Sequence, residues 1–281
     1  MARRLTALVL LAGGIGLLVW LGTVAVGAIG GDSKSSASTK PLRIIFPEGF
    51  TRQQMADRIT AVDEIARQKR HVTPSLSAQA YLAASASSRL PGKFAGDGKR
   101  RSLEGFLFPA TYDFTARTTS RRLVKDQLAA FKRTWKGVNL RYARSRNLTR
   151  YDVLIIASMV EKEVISPRER PLVAAVIYNR LHNNMPLQID ATIRYGLNIP
   201  YSRPITESDL QSSNPYNTRN RRGLPPTPIA NPGLPSMQAA AHPAHVNYLY
   251  FVRKPDKIHH FFTSSLQEFD AYIRAHPVRG A

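Results

Sequence analysis

Glu161 and Glu163 close an apolar run, Val153-Leu154-Ile155-Ile156-Ala157-Ser158-Met159-Val160, and they are the pair in this sequence best placed for proton transfer. The chain has no cysteine, which removes thiolate nucleophiles, thiolate metal sites and disulfide frameworks together. Its chemistry must therefore come from nineteen acidic residues and seven histidines. Thr149 caps a helix running from Arg150 to about Ile165, and at 100° per residue the two carboxylates lie about 200° apart. They cannot serve one site together. The apolar stripe is Val153, Ile156, Ala157, Val160 and Val164, with Glu163 roughly 60° from its centre and Glu161 about 100° away on the other side. A carboxyl held against apolar neighbours resists ionisation, because desolvation penalises the charged form. A general acid working near neutrality needs that property, so Glu163 is the candidate. The competing reading is a helix-end salt bridge from Glu163 to Arg168 or Arg180; helical geometry alone leaves the two evenly balanced.

The other acids have plainer explanations. Glu169 and Glu268 close capping boxes, Asp190 caps a short helix Ala191–Tyr195, and Asp209 does the same after Thr206. The sequence contains no GxxxxGK[ST], no GxSxG and no HExxH. His242, His259 and His260 are too few and too scattered for a zinc site. No metal or cofactor is expected. Lys162 could in principle form a Schiff base, but a pyridoxal-phosphate enzyme also needs a phosphate cradle, and none is evident.

The elements that position these residues read as α+β. Pro41 to Phe46 is a short strand, Pro47-Glu48-Gly49 a turn, and Thr51 with Gln54 boxes a helix to about Ala66. A helix covers Ser77 to about Ala86, and the Gly- and Lys-rich run 91–101 is a candidate boundary. Leu123 to Trp135 has helical spacing. Ser166-Pro167-Arg168-Glu169 opens a helix to about His182. Pro200 to Pro235 is mostly loop, Tyr248–Val252 and His259–Thr263 form a hairpin, and Ser265 with Glu268 starts a last helix.

The N-terminus bounds the location. Leu5 to Gly31 carries no charge and is long enough to cross a hydrocarbon core of roughly 30 Å. Arg3 and Arg4 before it stay cytoplasmic under the positive-inside bias, which sends the rest of the chain outward. The organisation expected is a cytoplasmic tail 1–4, a single transmembrane helix 5–30, a flexible linker 31–40, a small strand–helix unit 41–90 and a main domain 101–276. The net charge of +21 is scattered without interleaved aromatics, so it suits anionic lipid or acidic wall polymer and implies no nucleic acid.

Taken together, ordered segments of the chain resemble the MltG (YceG-like) family of endolytic murein transglycosylases. They include Glu104-Gly105-Phe106-Leu107-Phe108-Pro109-Ala110-Thr111-Tyr112, Ala157-Ser158-Met159-Val160-Glu161-Lys162-Glu163 and Val176-Ile177-Tyr178-Asn179-Arg180-Leu181. Met185-Pro186-Leu187-Gln188, Pro215-Tyr216-Asn217-Thr218, Gly223-Leu224-Pro225-Pro226 and Ile229-Ala230-Asn231-Pro232-Gly233 continue the series, which ends at Ala241-His242-Pro243-Ala244 and Tyr248-Leu249-Tyr250-Phe251-Val252. The resemblance implies a membrane-anchored, outward-facing lyase that cleaves the MurNAc–GlcNAc β-1,4 bond of nascent peptidoglycan and leaves 1,6-anhydro-MurNAc ends. It implies peptidoglycan strands as substrate and peptidoglycan synthases as companions. The family's essential glutamate falls on Glu163, and the resemblance offers Asn179, Arg180, Gln188, Asp190, Tyr216 and Asn217 as cleft residues. It also makes 41–90 the last strand–helix portion of a LysM-like region that is longer in the family. The alternative is a non-catalytic wall-binding scaffold of the same fold.

Overall fold

The computed structural model describes residues 41–86, 88–94 and 99–277. The tail, span and linker expected over 1–40 lie outside them, and no helix among the described residues is long and apolar enough to cross a membrane. Strand β1 (Leu42–Ile45) alternates, burying Ile44 and turning Arg43 and Ile45 outward. Helix α1 (Arg52–Arg70) follows, opened by the reciprocal Thr51–Gln54 box that the sequence predicts. It ends later than predicted, at His71 in the left-handed region. After α2 (Ala78–Ala86) come two short strands, β2 (Ser88–Arg89) and β3 (Arg100–Arg101), and then β4 (Thr111–Phe114). β4 pairs antiparallel with β1, Ile44 opposite Tyr112, across the 91–101 segment. The described residues fall within one compact unit.

Helix α3 (Ser120–Trp135) starts three residues before its first apolar position because Thr119 accepts a bond from the Arg122 amide. A short α4 (Arg141–Ser145) leads into α5 (Arg150–Glu163), whose capping box is closed by Asp152. Every residue from Val153 to Val160 is buried, so this helix has no polar face along that stretch. The one-sided stripe read from the sequence understates it: α5 is enclosed by α6 (Arg170–His182), α7 (Asp190–Gly196) and α9 (Leu234–Ala241). The small α8 (Glu207–Leu210) carries the predicted Thr206–Asp209 box inside the long loop.

The loop is held by side chains. Ser158, fully buried on α5, accepts the Ile229 amide at 3.0 Å. Asn231, also fully buried, accepts the Leu107 amide at 2.9 Å and donates to Phe50 O at 2.9 Å and Glu104 Oε1 at 2.8 Å. One amide thus joins the 46–50 turn, the 103–108 segment and the loop before α9. The chain closes with the predicted hairpin, β5 (Tyr250–Arg253) and β6 (His260–Thr263), and α10 (Leu266–Ala275). The described residues make a mixed α+β fold, with helices carrying the core and three two-stranded antiparallel ribbons at its margins.

Two predicted caps give way to long-range partners, and a third box forms only by half. Ser166 makes no cap bond, and Pro167–Glu169 is a single 3₁₀ turn before α6. Glu169 instead accepts the His260 amide at 3.1 Å and its Nδ1 at 2.7 Å. Asp190 caps nothing; it is the first residue of α7 and pairs with Arg219 at 2.7 Å. Glu268 lends its amide to Ser265, while its carboxylate takes the Thr263 hydroxyl rather than closing a box.

Gly105 has φ +86°, and a Cβ there would lie 2.6 Å from Pro228 Cγ. Gly105→Ala therefore combines backbone strain with a clash against a buried loop, and we expect a loss of about 2–3 kcal/mol in denaturant unfolding.

Candidate active site

Glu163 is the last residue of α5, where the helix emerges from its buried stretch. The residue as a whole is half-buried, and its carboxyl is enclosed by protein. Burial pushes its pKa up to about 7, and the neighbouring Asp190 carboxylate adds to the rise; Arg253, the Ala191 amide and Lys162 act against it. Arg253, from the end of β5, donates to the Glu163 backbone carbonyl at 3.0 Å. The hairpin therefore fixes the end of α5 while keeping a cation beside the acid.

Glu161 points elsewhere, as the helical spacing predicts. Its carboxylate accepts the Gly233 amide at 3.0 Å, at the start of α9. Glu48 lies beside it, pushed up first by burial and then by the Glu161 charge. No salt bridge to Arg180 exists to quench Glu163, because Arg180 is turned into the core. It donates to the carbonyls of Leu249 (2.6 Å), Pro186 (3.0 Å) and Leu187 (3.0 Å), and to Gln188 Oε1 (2.9 Å). Arg168 is exposed.

The remaining predicted site residues divide. Asp190 stands next to Glu163 and Tyr216 reaches the cavity described below. Gln188, with φ 55°, is bound to Arg180 and shapes the approach to α7. Asn179 and Asn217 hold backbone: Asn179 donates to Val246 O and Tyr248 O, both within 2.9 Å. Asn217 is fully buried and donates to Leu210 O and Ser212 O, both at 2.8 Å. In this arrangement both side chains hold loop backbone.

Alongside Glu163 opens a cavity of about 660 Å³, with Arg52, Glu104, Lys162, Ala191, Arg194 and Tyr201 among its lining residues. Glu163 is not on its wall, but Lys162 precedes it in α5 and Ala191 supplies the amide facing its carboxyl. At the cavity's base Glu104, 2% exposed, accepts the Arg52 amide (3.1 and 3.2 Å), the Tyr195 hydroxyl (3.2 Å) and the Asn231 amide (2.8 Å). Burial raises its pKa to about 7 against those donors. Sequence reasoning missed Tyr195 and Asn231 as partners of Glu104 at the cavity, and Arg253 as the cation beside Glu163. The available signal was Glu104 itself, an acid heading the apolar run Gly105–Pro109. Among the described residues no cluster of His, Cys, Asp or Glu could hold a metal ion.

An enclosed helix thus ends in an acid whose pKa is raised, near a cavity that shares Lys162 and Ala191 with its surroundings, an arrangement suited to acid–base chemistry. Residues 30–275 match the sequence model of the YceG-like family, and the chain belongs to that family. A Bacillus subtilis (strain 168) protein named endolytic murein transglycosylase is 32% identical over 243 residues, covering 83% of this chain and 65% of that one. A protein of the same name from Streptococcus pneumoniae (strain ATCC BAA-255 / R6) is 31% identical over 253 residues, covering 83% of this chain and 44% of that one. The chain thus spans roughly half to two thirds of the length of these curated relatives. A crystal structure of a YceG-like protein from Listeria monocytogenes superposes with a TM-score of 0.63 at 28% identity, over 82% of this chain and 75% of that one.

Proposed function

We propose that this protein is a lytic murein transglycosylase, cutting the MurNAc–GlcNAc β-1,4 bond of peptidoglycan strands with Glu163 as its acid and base. The observation that carries the reading is the environment of Glu163: desolvation and then the Asp190 charge raise its pKa to about 7, so a substantial share of the carboxyl holds its proton near neutrality. The names of the curated relatives and the family membership support the same reaction.

The chemistry needs one carboxyl. Protonated Glu163 gives its proton to the glycosidic oxygen as the bond to C1 breaks, and the GlcNAc side leaves as an alcohol. The resulting carboxylate takes the proton of the MurNAc C6 hydroxyl as that oxygen bonds to C1, closing the 1,6-anhydro ring and restoring the acid. The internal hydroxyl fills the role that water or a protein nucleophile fills in hydrolases, and its tethering supplies a large effective molarity. The same reading takes the exported chain as a single-pass anchor over 5–30, a linker 31–40, a partial LysM-like portion 41–90 and a catalytic portion 101–276. It places the site at the outer face of the cytoplasmic membrane, near the synthases that make its substrate.

Asp190 favours a second reading, hydrolysis, in which it would activate water beside Glu163. Its pairing with Arg219 at 2.7 Å works against that, because the charge is already engaged. Mass spectrometry of digested glycan strands decides between them: anhydro ends mean transglycosylation and reducing ends mean hydrolysis. A non-catalytic scaffold would yield neither.

The pH dependence has a definite sign. Glu163 must be protonated to start the reaction and its pKa is raised to about 7, so the rate should be level below that value and fall as pH rises through it. Asp190→Asn removes a charge that raises the pKa and should move the fall to lower pH. Arg253→Gln removes a charge that lowers it and should move the fall to higher pH. A pH–rate profile of each variant checks both directions, and a shift of the same sign in both would contradict the electrostatic account.

A further inference from the structure

We propose that the 660 Å³ cavity beside Glu163 receives the acidic stem peptide of the muramoyl residue being cut, making the enzyme selective for peptide-bearing over denuded glycan. This deepens the transglycosylase reading and rests on it.

The argument begins with charge. Three cations, Arg52, Lys162 and Arg194, line the cavity, and its one acid is Glu104. Glu104 is buried and already bound by three donors, and of the cations it faces Arg52. Lys162 and Arg194 have only neutral hydrogen-bond acceptors. Lys162 Nζ donates to Gly49 O at 3.3 Å, and Arg194 Nη1 donates to Pro200 O at 3.0 Å and Arg203 O at 2.9 Å. Both cations also sit over the ring of Tyr201, at 5.0 and 5.3 Å from its centroid, and that tyrosine is 62% exposed. A pair of cations fixed by carbonyls and an aromatic face, with donors to spare, is suited to a carboxylate-bearing ligand.

Next comes the substrate's own chemistry. Where a stem peptide is attached, the lactyl carboxyl of MurNAc is tied up as an amide, so the sugars of that strand are neutral and need no cations. The carboxylates sit on the stem peptides, attached through the lactyl arm of the same sugar whose C1 reacts. A pocket that shares Lys162 and Ala191 with the surroundings of Glu163 is within reach of that arm. Its volume lies inside the range of about 300–1,000 Å³ usual for ligand pockets, enough for a short peptide.

The test uses the full-length chain on strands of matched length, either carrying tetrapeptide stems or stripped of them with the exposed lactyl carboxyls capped as simple amides. The wild type should cut the peptide-bearing strands with a KM lower by about tenfold or more. Lys162→Gln and, separately, Arg194→Gln should bring the ratio of the two KM values close to one. A binding arm uses the Glu163→Gln protein, where free stem tetrapeptide should bind and its carboxyl-amidated counterpart should not. Equal cutting of both strands, with no preference for the charged peptide, overturns the pocket and leaves the transglycosylase reading standing. Inorganic phosphate displacing the tetrapeptide at lower concentration than tetrapeptide itself also overturns it, in favour of a phosphate polymer. If no anhydro ends form from either strand while Lys162-dependent peptide binding persists, the pocket stands and the reaction assignment fails.

Discussion

Glu163→Gln should lower the release of anhydro ends by about 10²–10⁴-fold, the usual contribution of a positioned acid–base group, while leaving the fold intact. Glutamine keeps the shape of the side chain, and the Arg253 bond goes to the Glu163 backbone carbonyl, which the substitution does not touch. The chain should therefore melt within a few degrees of the wild type and bind glycan strands about as well. The loss should fall on turnover, because the missing proton matters only once the glycosidic bond begins to break. Glu161→Gln is the internal contrast. That carboxylate faces Gly233 and Glu48, so its replacement should cost stability at the start of α9 and little turnover. Equal losses for both variants would mean the end of α5 is merely a structural joint.

The largest stability effect is expected at Asn231. Its side chain accepts the buried Leu107 amide and is one of the donors to the buried Glu104 carboxyl. Asn231→Ala leaves two buried polar groups short of a partner, one of them a carboxyl, at a cost of about 4 kcal/mol. Denaturant unfolding of the wild type and variant measures it. The loss should deepen above neutrality, where Glu104, with its pKa near 7, must hold a charge with one donor fewer. A loss under about 1 kcal/mol would show that the three segments are joined by other means.

Local signals in the sequence carried most of the elements. The boxes at Thr51 and Thr206, the cap at Ser265 and the 250–263 hairpin depend on residues three or four apart or on strict alternation, and each forms. Two of the failures share one cause. Glu169 and Asp190 were assigned to nearby amides, but each has a stronger partner far along the chain, His260 and Arg219. No spacing rule reaches that far. The wheel applied to α5 found the correct face for each glutamate but not the full enclosure of the helix, because periodicity cannot count how many neighbours will pack against an apolar run. Arg180 shows the same limit. A buried arginine that binds four acceptors, three of them carbonyls, reads in sequence like any other helical cation. Glu163, by contrast, was legible in its orientation, though Asp190 and Arg253, which tune it, come from α7 and β5 and could not be read from its own helix.

Titration of the Glu163 carboxyl by carbon-detected NMR, with Glu163→Gln to assign the signal, tests the central claim most directly. The account predicts a midpoint near 7, which leaves a substantial protonated share at neutral pH. A midpoint at the ordinary glutamate value of about 4.3 or lower would leave a permanent carboxylate with no proton to give, and would contradict it.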